Sequence, residues 1–266
     1  MKTLSVVIPA LNEEKAIGPV IKEIPIGKLK KMGYNVEVLV IDNGSTDKTP
    51  HIARSHGAKV IVQPIRGYGN AYKAGFANAT GDIIATGDAD LTYPFDALPE
   101  FIKKIENEGY DFVNTDRLTT LNPEVMQKSH VFGNWFLTFI IKNLFHAPFK
   151  DTQSGMWIFK RTILKTIKVR SSGMPFTWEI KVEAYLRGYK CTEVPIDYRA
   201  RAGETKLDTV KDGIKNILRI FKKRSSYGFK LPKPYSGNEQ RVNLDQQLDS
   251  IEENECVKLY AEKIKK

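Results

Sequence analysis

Short apolar runs alternate with helix-like stretches from residue 4 to residue 90, and this alternation constrains the fold more than any other feature. Residues 4–9, 36–41, 59–62 and 83–86 have the length and the β-branched content of strands. The run at 36–41 is nearly all apolar, as expected of a parallel strand covered on both faces. Between the runs lie segments with helix punctuation, such as Thr49-Pro50 at a start and Gly57 at a stop. Strands separated by helices require crossover connections, so a doubly wound α/β half is expected. Further strands are expected at 112–115, 157–159 and 193–198, with helices at 99–108 and 174–186.

In such a sheet, ligands gather beyond the carboxyl ends of the strands. Several polar residues of this chain fall at those ends. Asp88 and Asp90, one residue apart, follow the run at 83–86. Together they suit a hard divalent cation such as Mg²⁺, which favours oxygen ligands and shares them with substrate phosphates. A D-x-D pair alone also fits a solvated acidic turn. Asp42 ends the second strand, where a ribose or base is gripped in related sheets, although Asp42-Asn43-Gly44-Ser45 also has turn composition. Glu13 follows the first strand, in a segment, 10–14, expected to open a helix with acids in its first turn. Gly67-x-Gly69, with Arg66 and Lys73 beside it, is a candidate phosphate loop. Asp116-Arg117 ends the fifth strand.

The formal net charge of +10 calls for an anionic partner. Cys191 and Cys256 lie far apart, which fits a reducing compartment rather than a disulfide framework. The N-terminus runs straight into a strand, so no signal peptide is expected. Phe132, Trp135, Phe136, Phe139, Ile140 and Leu144 recur at helical spacing. Such a stripe is either core or the face of a helix lying on a membrane. In 208–224, Val210, Ile214, Ile217, Leu218 and Phe221 form a second stripe, surrounded by Lys211, Lys215, Arg219, Lys222, Lys223 and Arg224. A basic amphipathic helix suits an anionic membrane surface, and equally a solvated face over a core. Residues 226–266 are polar and carry no recognisable chemistry, so 1–225 is expected to be the catalytic domain and 226–266 an extension.

Five segments, in order, resemble family 2 glycosyltransferases of the GT-A fold, within the branch of dolichyl-phosphate mannose and glucose synthases. They are Val6-Val7-Ile8-Pro9-Ala10-Leu11-Asn12-Glu13-Glu14, Ile41-Asp42-Asn43-Gly44-Ser45-Thr46-Asp47, Asp88-Ala89-Asp90-Leu91, Asp151-Thr152-Gln153-Ser154-Gly155-Met156 and Arg201-Ala202-Gly203-Glu204-Thr205-Lys206-Leu207. The resemblance covers about residues 3–225. It implies a Rossmann-like, mixed but mostly parallel sheet flanked by helices, with amphipathic helices toward the C-terminus. It implies that Pro9, Leu11, Glu13 and Asp42 line the pocket for the donor's base and ribose. Asp88 and Asp90 would hold Mg²⁺ or Mn²⁺ on the donor diphosphate, with Ala89 near the ribose. Arg117 would lie beside the reacting phosphates, and Arg201 and Lys206 would bind the acceptor phosphate or close over the donor. Mannose synthases of this branch carry Gln where this chain has Thr92, and the Asp-Thr-Gln-Ser-Gly segment leans toward a UDP-sugar. Lys128 and His130 are the nearest candidates for the branch's acceptor loop.

The implied reaction is inverting transfer of a hexose from a nucleoside-diphosphate sugar, UDP-glucose or GDP-mannose, to a polyprenyl phosphate. The chain would act peripherally at the cytoplasmic face of a membrane, alone, as a homo-oligomer or with a membrane subunit. The main alternative is a soluble glycan acceptor, which needs a carboxylate base such as Asp151 or Glu179. A nucleotidyltransferase would carry a Gly/Arg/Lys-rich loop after the first strand, where this chain has Ala10-Leu11-Asn12-Glu13-Glu14. Nucleic acid is not an expected partner, because no aromatic–basic platform accompanies the charge.

Overall fold

A computed structural model describes residues 1–122, 124–202, 209–227 and 231, with backbone alone for 209–212. The expectations for Lys206, for the rest of 203–208 and for most of 226–266 fall outside the described residues.

Seven strands form one sheet in the order β3-β2-β1-β4-β6-β5-β7. They are β1 (Lys2–Ala10), β2 (Tyr34–Asp42), β3 (Lys59–Val62), β4 (Ile83–Thr86), β5 (Phe112–Asp116), β6 (Trp157–Lys160) and β7 (Cys191–Pro195). Strands β1–β4 run parallel, β6 is antiparallel to β4 and β5, and β7 is again parallel to β5. Helices α1 (Ile17–Glu23), α2 (Ile26–Lys31), α3 (Thr49–Ser55), α4 (Tyr68–Asn78), α5 (Leu98–Asn107), α6 (Lys128–Phe145), α7 (Phe176–Leu186) and α8 (Thr209–Ser226), with two short 3₁₀ turns at Phe95–Ala97 and Arg161–Lys165, complete the described elements. One core layer packs α1 and α5 on one face of the sheet, and a second packs α4 and α7 on the other. Three of the apolar runs read from the sequence are buried strands: Val6, Val7, Ile8, Leu39, Val40, Ile41, Ile84 and Ala85 are all inaccessible to solvent, whereas β3, at the edge of the sheet, is half-buried at Val60 and Ile61 and leaves Val62 61% exposed. In register, Ala10 lies opposite Asp42 and Val7 opposite Thr86. The ends of β1, β2 and β4 therefore share one edge.

The segment after β1 differs from expectation. It is a turn, and α1 begins only at Ile17, with no acid in its first turn. Asn12 adopts a left-handed backbone (φ 52°). Its amide donates to Ser45 Oγ (3.0 Å) and its Oδ1 accepts from the Thr46 amide (2.8 Å). The loops after β1 and β2 are thereby tied together, and local side-chain bonds of this kind compete with helix.

Helices α6 and α8 pack against each other over the outer face of α7. The sequence stripes do not mark their buried faces. In α6 the core side is Leu137, Ile141 and Phe145, while Phe132 (65% exposed), Trp135 (54%), Phe136 and Phe139 face outward. In α8, Ile220 is buried, whereas Ile214, Leu218 (65% exposed) and Phe221 are not. Two basic residues of α8 point inward. Arg219 pairs with Glu179 at 2.9 Å, and Lys223 pairs with Glu179 at 3.2 Å and also with Glu183. These ion pairs share the buried face of α8 with Ile217 and Ile220, so Ile214, Leu218 and Phe221 are left outside, while Ile140 and Leu144 of the α6 stripe pack against the same core.

Candidate active site

Asp88 and Asp90 stand on the loop after β4, at the shared edge. Asp90 is buried, and its Oδ1 accepts from the amide (3.1 Å) and hydroxyl (2.6 Å) of Thr92. Leu91 between them takes a positive φ of 68°, which turns the chain sharply enough for that contact. The irregular segment 199–202 runs alongside: the Arg199 amide donates to Thr92 O and the Ala202 amide to Asp90 O, both at 3.0 Å. This pairing delivers Arg201, whose Nη2 meets Asp90 Oδ2 at 2.8 Å. The same guanidinium feels the charges of Asp90, Asp88, Tyr198 and Glu13, which together hold its proton more tightly than usual despite burial.

Asp88 accepts a hydrogen bond from Tyr68 Oη at 2.9 Å. Burial, then the neighbouring Asp90 charge, push its pKa up to about 7, against the opposing pull of Tyr68, Arg201 and Arg117. Two hard carboxylates crowded until one resists ionisation fit a divalent cation, which would relieve that repulsion. Among the described residues no cluster of three His, Cys, Asp or Glu side chains offers a metal site. The protein's contribution here is two carboxylates, leaving further positions for phosphate and water oxygens.

Arg117 follows β5 and is buried. Its Nε and Nη2 grip Asp151 Oδ2 and Oδ1 at 2.7 and 3.0 Å, and its amide adds a third bond at 3.1 Å. The guanidinium also lies 5.3 Å from the Tyr198 ring centroid. Burial raises the Asp151 pKa, but Arg117, and more distantly Lys181, bring it below the usual carboxylate range. Asp151 opens the loop 151–155, whose far end reaches Asp88. Gly155 carries no side chain there for a reason: a Cβ would lie 2.7 Å from Tyr68 Oη and 3.1 and 3.2 Å from the Asp88 oxygens. Gly155→Ala is therefore expected to cut turnover about 100-fold, since a displaced carboxylate mispositions the reacting groups. Turnover within about threefold of the parent in a nucleoside-diphosphate release assay would remove this contact from the site.

Asp42, buried at the end of β2, accepts from the Ser45 amide at 3.0 Å. Pro9, Leu11 and Glu13 follow along β1 and the turn after it, each half-buried. The Glu13 amide donates to Thr49 Oγ1 at 2.7 Å. Ala89 is buried in the core between the two acids. The edge thus brings together Asp88, Asp90, Arg117 and Arg201, with Glu13 within reach of Arg201's charge.

The structure does not bring Lys73 into this cluster. Tyr68 and Tyr72, one turn apart, face the Asp88 side, where Tyr72 Oη donates to Gly155 O at 3.3 Å. Lys73, rotated about 100° from Tyr72 along the helix, instead donates to the carbonyl of Arg170 at 3.2 Å. The glycines of Gly67-x-Gly69 have a packing reason of their own. A Cβ on Gly67 or Gly69 would lie 2.4 Å from Ser172 O or 2.6 Å from Ser171 O, so both glycines serve the close packing of α4 on that backbone. Tyr68, between them, is the residue of the segment that touches the site, and sequence reasoning passed over it.

Residues 5–168 match the family described as "Glycosyl transferase family 2". A dolichyl-phosphate hexose transferase of Haloferax volcanii is 38% identical over 221 residues, covering 82% of this chain and 93% of that protein. The low-salt glycan biosynthesis hexosyltransferase Agl6 of the same organism is 37% identical over 232 residues, covering 86% of this chain. This chain spans 56% of that longer relative. Among solved structures, glucosyl-3-phosphoglycerate synthase from Mycobacterium tuberculosis, in complex with Mn²⁺ and UDP-glucose, is 25% identical with a TM-score of 0.65. The match covers 84% of this chain and 79% of that one. The same synthase is also known with Mg²⁺ and UDP.

Proposed function

The chain belongs to glycosyl transferase family 2, and from that premise we propose that it moves one hexose from a nucleoside-diphosphate sugar to a polyprenyl phosphate, inverting the anomeric centre. The observation that carries the acceptor half of this reading is the state of the two carboxylates that a sugar-hydroxyl acceptor would need as base. Asp151 is fully buried and gripped by Arg117, and Glu179 is fully buried between Arg219, Lys223 and the Ser171 amide. A phosphate monoester needs no base, because its second pKa of about 6 leaves it dianionic at neutral pH.

In the proposed step an acceptor phosphate oxygen attacks the anomeric carbon. The bond from that carbon to the leaving diphosphate breaks, and its electron pair departs on the phosphate oxygen. No proton has to move. Asp88 and Asp90 would hold a divalent cation, which would supply Lewis-acid neutralisation of the charge on the leaving diphosphate. Arg117, fixed by Asp151, and Arg201, delivered by its pairing with Asp90, add preorganised positive charge that costs no reorientation at the moment of reaction. Pro9, Leu11, Glu13 and Asp42 form the donor side of the same edge, and Lys206 joins the acceptor side on the strength of the resemblance.

The decisive experiment offers radiolabelled UDP-glucose, and in parallel GDP-mannose, with a polyprenyl phosphate in detergent, plus Mg²⁺ or Mn²⁺, or EDTA. Metal-dependent label in the organic phase is expected. Donor consumption with all label left in water would overturn the lipid acceptor in favour of a soluble one.

The acceptor's tail explains a second feature. No helix among the described residues is long and apolar enough to cross a membrane. Instead α6 and α8 present Phe132, Trp135, Phe139, Leu218 and Phe221 outward, with exposed Lys128, Lys142, Lys215 and Lys222 on the same helices. This reading places the chain peripherally on the cytoplasmic face, seated through these side chains. Flotation with anionic liposomes is expected at low salt, weakening as salt screens the lysines. Trp135→Ser combined with Phe139→Ser should abolish it, and undiminished flotation of that variant would exclude this face.

A further inference from the structure

Lys181, on α7, is an interior lysine for which the reaction above has no use. Its side chain is fully buried. Its ammonium donates to three carbonyls of one irregular loop: Asp151 O at 3.2 Å, Thr152 O at 2.9 Å and Ser154 O at 2.8 Å. It lies 5.9 Å from the Trp157 ring centroid. Lysines are almost never fully buried, and an apolar side chain of similar volume would avoid the desolvation cost. Burial brings its pKa down to about 7, with Asp151 and Glu193 opposing that shift and Arg117 adding to it.

Helix geometry separates Lys181 from the other charges of α7. At about 100° per residue, Glu179 and Glu183 fall roughly 40° apart, and Lys181 stands on the opposite side. The glutamates serve α8, as their pairs with Arg219 and Lys223 show. Lys181 faces the loop 151–155. The carbonyls of Asp151, Thr152 and Ser154 converge on one point, and an ammonium, with three donors, serves all of them at once, although Asp151 O also accepts from Asn114 Nδ2 and Ser154 O from Trp157 Nε1. The same loop ends, at both extremes, on the reacting groups. Asp151 grips Arg117, and Gly155 closes on Asp88 within the limit set by its missing Cβ.

We propose that Lys181 is a positioning residue of the transfer reaction: by gathering the carbonyls of Asp151, Thr152 and Ser154 it holds the loop that fixes Arg117 at one end and seats Asp88 at the other. The proposal deepens the functional reading above and rests on it. The link runs through backbone rather than through contact with substrate. The loop has no regular secondary structure of its own to keep those two ends in register, and without the ammonium the three carbonyls lose the one group that ties them together: Asp151 O and Ser154 O keep Asn114 and Trp157, while the donor to Thr152 O is removed.

The test compares Lys181→Met, which keeps volume and removes all donors, with Lys181→Gln, which keeps two. Each full chain is measured for thermal midpoint, for UDP or GDP affinity with Mn²⁺ by calorimetry, and for kcat and KM. Lys181→Met is expected to lower kcat about 100-fold in protein that is still folded, with Lys181→Gln between it and the parent. In an Arg117→Lys background, where the bidentate grip is already gone, the further loss on adding Lys181→Met should shrink to about threefold or less. If Lys181→Met does not fold, Lys181→Gln carries the same comparison. A lowered thermal midpoint with unchanged kcat and nucleotide affinity would make Lys181 purely structural and overturn the proposal. So would a full, additive loss in the Arg117→Lys background. A parent that binds neither nucleotide points instead to a failure of the functional reading, and the two failures are thereby distinguishable.

Discussion

Asp90→Asn is expected to lower sugar transfer about 10³-fold while leaving the fold intact, because it removes charge where the leaving diphosphate must be neutralised. The amide keeps an oxygen for the two Thr92 donors that Asp90 now satisfies. It loses the other half of the interaction. An amide nitrogen turned toward Arg201 Nη2 sets donor against donor, where the carboxylate now accepts at 2.8 Å. The carboxylate pair that suits a divalent cation is reduced to Asp88 alone. The check is nucleoside-diphosphate release at saturating donor, alongside the affinity for UDP with Mn²⁺. Asp96→Asn is the control: that exposed residue pairs with Arg199 at 3.2 Å, away from Asp88 and Asp90, and its loss should stay within about twofold, as for ordinary surface changes. Asp90→Asn retaining more than about a tenth of parent activity would be too mild for a residue at the leaving group.

Legibility in the sequence followed how local each cause was. Parallel strands covered on both faces are apolar where they are buried, so β1, β2 and β4 could be read directly, and with them the edge where Asp42 and Asp88 stand; β3, an edge strand only half-buried, was legible from its β-branched residues. Strand β7 came out shifted, at Cys191–Pro195 rather than 193–198, because its residues are only partly buried and carry no clean run. The carboxylate pair was readable because chemistry demands those residue types at that place. Its supports were not. Gly155 matters through a close approach to Asp88 from more than sixty residues away, and Tyr68 through a hydrogen bond to Asp88 twenty residues on, and nothing near either residue announces them. Lys181 left a faint trace. Charges at 179, 181 and 183 in an apolar helix cannot all face water if that helix is core, but only the fold says which side each one serves. The stripes of α6 and α8 left two readings open for the opposite reason. Periodicity reports that a helix has an apolar face, not that the face is covered, and here the inward turn of Arg219 and Lys223 leaves much of that face outside.

Asp151→Asn separates the two readings of the acceptor more sharply than any assay of substrates. If Asp151 were a general base, its loss would abolish turnover and leave stability nearly untouched. The geometry predicts the reverse weighting. Asp151 is fully buried, and its carboxylate takes both prongs of the Arg117 guanidinium. Removing one partner of such a pair strands an uncompensated buried charge, at a cost of about 3–5 kcal/mol. The pH dependence carries the same distinction. Burial raises the Asp151 pKa, Arg117 more than offsets it, and the folded-state value lies below the ordinary one. A depressed folded-state pKa means the contribution is complete above the unfolded pKa of about 3.9 and is lost as pH falls through the lower folded value. Urea unfolding should therefore show the full gap between parent and Asp151→Asn at pH ~7, and a narrowing gap only in strong acid, below pH ~4. Turnover should also fall, because Arg117 loses its anchor, yet residual activity should show no new dependence on added carboxylate buffers, which rescue a missing base but not a misplaced arginine. Parent-like stability together with rescue by formate or acetate would restore Asp151 as a base, and with it the soluble-acceptor reading.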